Sequence, residues 1–131
     1  MKRNWALTIK EMMHLKSLGV DTSSASMCWL KHPNESEYRL FVRDEYCYEL
    51  GALEPIPAFT LQDMLEMTPK ELPGGYYLFS VQRVGVCFYY YGEEGELCNK
   101  GGKSFLEASY NMLCWLAENG YLGKEGDNGV L

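Results

Sequence analysis

Apolar residues recur at helical spacing in three places, and each run opens on a hydroxyl residue with a carboxylate three positions later. Thr8 and Glu11 form a capping-box pattern, in which the hydroxyl accepts from the third helical N–H and the carboxylate accepts from the cap N–H. Ile9, Met12, Met13 and Leu15 then share a face, and Gly19 offers a left-handed stop with Val20 placed for the accompanying apolar contact. A helix is predicted over 9–18. Thr60 and Asp63 open a second over 60–67, with Leu61, Met64 and Leu65 as its apolar face. Thr68-Pro69 ends it, because a residue before proline avoids the helical region. Ser104 and Glu107 open the third, over 104–119. Its stripe is Phe105, Ala108, Met112 and Leu116, flanked by Leu106, Leu113 and Trp115, and Gly120 with Tyr121 closes it. Apolar on two sides, it is expected to be the most buried helix.

Between these runs the pattern changes to strands. Residues 25–31 and 38–43 flank a turn at His32-Pro33-Asn34-Glu35, and residues 46–50 alternate. Residues 76–83 and 86–91 flank Val84-Gly85 as a hairpin, entered through Pro73-Gly74-Gly75. Pro55-Ile56-Pro57 reads as a stiff connector. The order suits an α+β domain over 1–122: an antiparallel sheet of about four or five strands with three helices, mainly on one face. Residues 123–131, Gly-rich and charged, are expected to form a flexible tail. The expected core is Met12, Leu15, Phe41, Leu61, Leu65, Phe79, Phe105, Met112, Leu113 and Leu116.

Composition narrows the function classes. With 131 residues, 47% of them hydrophobic, the chain is long enough to bury a core without metals or disulfides. Twelve basic against eighteen acidic residues give a net charge of −6, which argues against a dedicated nucleic-acid module. No run approaches a membrane span, and the basic start lacks the apolar stretch of a signal peptide. The five cysteines, Cys28, Cys47, Cys87, Cys98 and Cys114, are odd in number and form no Cys-x-x-Cys pair, so a disulfide framework or zinc knuckle is not indicated. A cytoplasmic, reduced protein is the expectation.

Signals of chemistry are weak. Lys100-Gly101-Gly102-Lys103-Ser104 resembles the end of a phosphate-binding loop, but Leu97 occupies the position of its first glycine. The histidines, His14 and His32, form no metal-ligand spacing. Cys98 has the most polar setting of the cysteines and is the best candidate for a reactive thiol, with Lys100 or Lys103 to lower its pKa, but an ordinary thiol in a loop is the expectation. Carboxylates cluster at Asp44-Glu45 and Glu93-Glu94-Gly95-Glu96, the latter as a solvated hairpin tip. No catalytic residue, cofactor or metal is assigned.

The ten tyrosines are the most unusual feature. Alternation puts Val86, Phe88 and Tyr90 on one face of their strand and Cys87, Tyr89 and Tyr91 on the other. Helices cover one face of a sheet, so the second set is left outward if Phe88 points in. Tyr89 and Tyr91, with Tyr46 and Tyr48 of the alternating run 46–50, are therefore the candidate interface residues.

Three stretches carry a resemblance: His14 to Ser23 with Ala25-Ser26-Met27, then Pro57 to Leu65, then Ala108 to Leu122. They resemble a group of small proteins of gut Bacteroidales genomes, often found near prophages or other mobile elements. The resemblance implies a cytoplasmic protein of a bacterium or its phage, and no activity. The leading expectation is a non-enzymatic interaction or regulatory protein that binds a protein partner or a second copy, with nucleic acid and membrane not expected. Two alternatives are an antitoxin-like regulator, on element order alone, and an enzyme whose site is assembled in space.

Overall fold

The structure is a computed structural model that describes residues 5–43 and 54–122. The alternating run 46–50, the carboxylate pair Asp44-Glu45 and the tail 123–131 lie outside the described residues.

Three helices are present among the described residues: α1 (Ile9–Ser17), α2 (Leu61–Met67) and α3 (Phe105–Glu118). Their ends follow the capping chemistry. Thr8 Oγ1 accepts from Glu11 N at 3.2 Å, and Glu11 Oε1 accepts from Thr8 N at 2.9 Å. Thr60 and Asp63 make the same reciprocal pair. At α3 the box is offset: Ser104 Oγ accepts from Glu107 N, but the Glu107 carboxylate takes the N–H of Lys103. Gly19 lies at φ 88°, Val20 N donates to Leu15 O, and Gly19 N donates to Lys16 O. Those two bonds satisfy carbonyls the helix end would otherwise orphan. Tyr121, after Gly120 at φ 75°, closes α3 the same way on Leu116 O and stacks on Trp115 at 5.4 Å.

The strands are β1 (Met27–Leu30), β2 (Arg39–Val42), β3 (Ile56–Ala58), β4 (Glu71–Leu72), β5 (Tyr76–Gln82), β6 (Val86–Gly92) and β7 (Gly95–Gly102). All pair antiparallel, so the α+β reading holds, and the strands divide into two sheets ordered β2-β1-β3 and β4-β5-β6-β7. The expected connector Pro55-Ile56-Pro57 instead supplies β3, which pairs with β1 through Pro57↔Cys28. An edge strand tolerates proline because its outer side needs no N–H donor.

Helix α3 joins the two sheets. Its Ala108, Met112 and Leu116 pack on Val86, Phe88, Tyr90 and Leu72 beneath the four-stranded sheet. Leu113 and Cys114 turn the other way, into a cluster with Leu7, Met12, Leu15, Phe59 and Met64. Strand β1 contributes to this second cluster through Met27 and Trp29, and the Trp29 indole N–H donates to Leu7 O at 2.9 Å. Its alternate residues Cys28 and Leu30 pack with Phe41.

Of the expected core, Met12, Leu15, Met112, Leu113 and Leu116 are buried. Leu61, Phe105 and Phe41 are half-buried, the last beneath the Arg39 guanidinium at 5.5 Å. Two expectations are corrected. Leu65 is 36% exposed, because α2 rolls to bring Asp63 and Met64 inward and leaves Leu65 at the flank. Phe79 is 47% exposed, because β5 turns Tyr76 and Leu78, not Tyr77 and Phe79, toward α3.

Asp63 explains the roll of α2. Its carboxylate caps the helix and also accepts from the backbone N–H of Ser26 at 2.9 Å and from the Ser26 hydroxyl. Burial alone pushes the carboxyl up, but the donors on Ser26 and Thr60 outweigh it and hold it below the usual carboxylate range. A depressed folded-state pKa makes this contribution fully present above the unfolded-state value, near 4. Stability is therefore expected to fall as pH drops below about 4, through the lowered folded-state value. In urea titrations from pH 7 to 2, Asp63→Asn should show a shallower loss than the wild type. Parallel curves for the two proteins contradict this account of α2.

Candidate functional site

The open side of the four-stranded sheet holds the candidate site. Directly paired residues share a face, so the register groups the open-face side chains into rows. Glu71, Tyr77, Tyr91 and Glu96 make the first row, across all four strands. Phe79, Tyr89 and Asn99 make the second, and Val81, Cys87 and Gly101 the third. Tyr77 is 52% exposed, Tyr91 51% and Val81 41%, while Tyr89 and Cys87 are half-buried by their neighbours. Phe79 stacks on Tyr89 with ring centroids 5.5 Å apart and planes 18° from parallel. Asn99 Nδ2 donates to Glu96 Oε2 at 2.8 Å.

Rigidity beneath this surface comes from the residues of opposite parity. Val86, Phe88 and Tyr90 are buried, and Phe88 meets Phe105 edge-on at 6.2 Å. Tyr90 has no exposed surface, yet its hydroxyl donates to Pro69 O at 2.6 Å. Burial, reinforced by Cys98 opposite it, pushes this phenol far above its usual range, so it acts as a fixed neutral donor. Tyr90→Phe removes that donor and is expected to cost about 1–3 kcal/mol in urea denaturation, through the stranded carbonyl of Pro69. A loss below about 0.3 kcal/mol would mean that water replaces the donor freely. At one end of the sheet, a Cβ on Gly92 would stand 2.8 Å from Gly75 O, so the β4–β5 and β6–β7 turns meet through bare backbone.

The structure places the candidate interface residues Tyr89 and Tyr91 on this face, and adds Tyr77 and Phe79 beside them. Tyr46 and Tyr48 lie outside the described residues. Phe79 and Tyr77 were hidden by the composition of β5. Tyr77, Phe79 and Val81 are more apolar as a set than Tyr76, Leu78 and Ser80, so alternation alone assigns them to the core. Their pairing with Tyr91, Tyr89 and Cys87 is the signal that assigns them outward.

The other sequence features do not converge here. Cys98 pairs with Tyr90 and packs toward α3; burial raises its thiol pKa, and Lys100 offsets this only in part. Cys98 thus stands as an ordinary thiol, on strand β7 and not in a loop. Cys114 is likewise raised by burial, despite a hydrogen bond with Tyr110. His14 lies on the exposed side of α1, tilted against Tyr110 at 6.5 Å. His32 Nε2 is 4.0 Å from Glu35 Oε1 in the β1–β2 turn, beyond hydrogen-bond reach. Lys100-Gly101-Gly102 ends β7, which pairs antiparallel with β6, unlike the parallel strand that feeds a nucleotide loop. A cleft of about 320 Å³ beside α1 and β3 is lined by Met12, Lys16, Arg43 and Ile56 among others, and among the described residues no histidine or cysteine lines it. Among the described residues, no group of three or more His, Cys, Asp or Glu is gathered to hold a metal, and no helix is long and apolar enough to cross a membrane.

Comparison of the chain with protein families, with curated proteins and with solved structures returned no match. The geometry of the open sheet face is therefore the basis for a functional reading.

Proposed function

We propose that this chain is a non-enzymatic interaction protein, an accessory or regulatory factor of a bacterial or mobile-element genome, and that it holds a protein partner on the open face of its four-stranded sheet. The observation that carries this reading is the continuous set Tyr77, Phe79, Val81, Tyr89 and Tyr91 on a sheet whose opposite face is already packed. Single exposed apolar residues are ordinary on protein surfaces, whereas contiguous aromatic patches mark contact sites. Tyrosine suits such a site, since its ring supplies apolar area and its hydroxyl a hydrogen bond. Glu71 and Glu96 flank the patch, and a carboxylate rim repels phosphate, which favours protein over nucleic acid.

A photo-crosslinking phenylalanine analogue at position 79, expressed in the native host, tests this. The expected result is a discrete protein adduct from position 79 and none from position 62, on the exposed side of α2. Equal yields at the two positions would make the aromatic face an ordinary surface.

A further inference from the structure

We infer that the occupant of the open face is a second copy of this chain, packed face to face with its strands running opposite to those of the first. This inference rests on the contact-surface reading above and names its partner.

The rows change in size and charge along the strands. The first is bulky and acidic, with Glu71 and Glu96 outside Tyr77 and Tyr91. The exposed turn residues Glu93 and Glu94 extend that acidic end, and Lys70, just before β4, is an exposed cation near it. The third row is small: Val81, Cys87 and Gly101. Beyond it comes the β5–β6 turn, where Arg83 is exposed and continues the parity of Tyr77, Phe79 and Val81. Lys103 lies past the end of β7, where its backbone N–H donates to the Glu107 carboxylate.

Two copies packed face to face are related by a two-fold axis lying in the plane of contact. An axis along the strands sets the acidic row on the acidic row and the tyrosines on tyrosines. An axis across the strands, near the Phe79–Tyr89 stack, sets each bulky acidic row over the other copy's small row and Arg83. Such an axis sets each strand over its own copy, so Tyr77 meets Val81, Tyr91 meets Cys87 and Glu96 meets Gly101. Glu71, on β4 beside β5, then approaches Arg83 at the end of β5. Charge and volume select the same axis. Aligned packing of two sheets, about 30° from parallel strands, is compatible with this arrangement.

The experiment is sedimentation equilibrium of the full chain across a concentration series, with charge-swap variants whose folding is checked by circular dichroism. The wild type is expected to dimerise. Arg83→Glu and Glu71→Lys, each placing like charges together, are expected to weaken the dimer about tenfold or more. Mixed in equal amounts, the two variants regain dimer, because each acidic end again meets a basic one. Dimers unmoved by either single change, or variants that stay monomeric when mixed, overturn the antiparallel arrangement. A wild type that is monomeric throughout, while the probe at position 79 traps a different protein, overturns self-pairing and leaves the contact-surface reading standing. A monomer with no adduct overturns both.

Discussion

Leu113→Ala is expected to lower the unfolding free energy by about 2–5 kcal/mol, the range for large-to-small changes in a packed core. Leu113 has no exposed surface and lies in the cluster that includes Leu15, Phe59 and Met64. The neighbouring Met112 and Leu116 face the cluster under the four-stranded sheet. Helix α3 thus fills both clusters, and a void at Leu113 cannot close by shifting the helix without opening space beside Met112. Incomplete relaxation places the cost above the transfer term alone. Urea denaturation should show a lower midpoint with an unchanged slope. A loss under about 1 kcal/mol would mean that the two clusters repack independently of α3.

Asp63→Ala is expected to cost about 2–4 kcal/mol, from one lost cap and from unpaired donors on Ser26. Asp63 lies 37 residues from Ser26, and its bonds tie the entry to β1 onto the start of α2. Ordinary loss of a helix cap is about 1 kcal/mol. The excess over that figure measures the tie to Ser26, and Ser26→Ala in the Asp63→Ala background should add little further loss. Thermal unfolding of the two single variants and the double variant completes that cycle. Full additivity would mean that the two residues act separately.

Local chemistry made the helices legible. Thr8, Thr60 and Ser104 cap where a hydroxyl followed three positions later by a carboxylate indicates, and Gly19 and Gly120 stop two helices by adopting backbone that other residues rarely reach. The β5–β6 hairpin and the grouping of Val86, Phe88 and Tyr90 on one face were legible from alternation, but not which face turns inward. Long-range choices were not. Pro55-Ile56-Pro57 carries turn-like residues, and only its edge position beside β1 makes it a strand. Asp63 looks like an ordinary cap until Ser26 arrives from 37 positions away. Phe79 has the composition of a core residue because the face it occupies is apolar. Local pattern and global burial disagree at that surface, and such disagreement is expected where a protein keeps apolar area for contact.

The central claim is that the fold closes without the rings of the open face, which leaves them free for a partner. The most direct test is the chemical denaturation of Tyr89→Ser/Tyr91→Ser at low micromolar concentration. Exposed cross-strand pairs contribute about 0.2–1 kcal/mol each, so the double variant should keep the native circular dichroism and lose no more than about 2 kcal/mol. A double variant that is unfolded, or that loses more than about 4 kcal/mol, would place the two rings in the core and contradict the account.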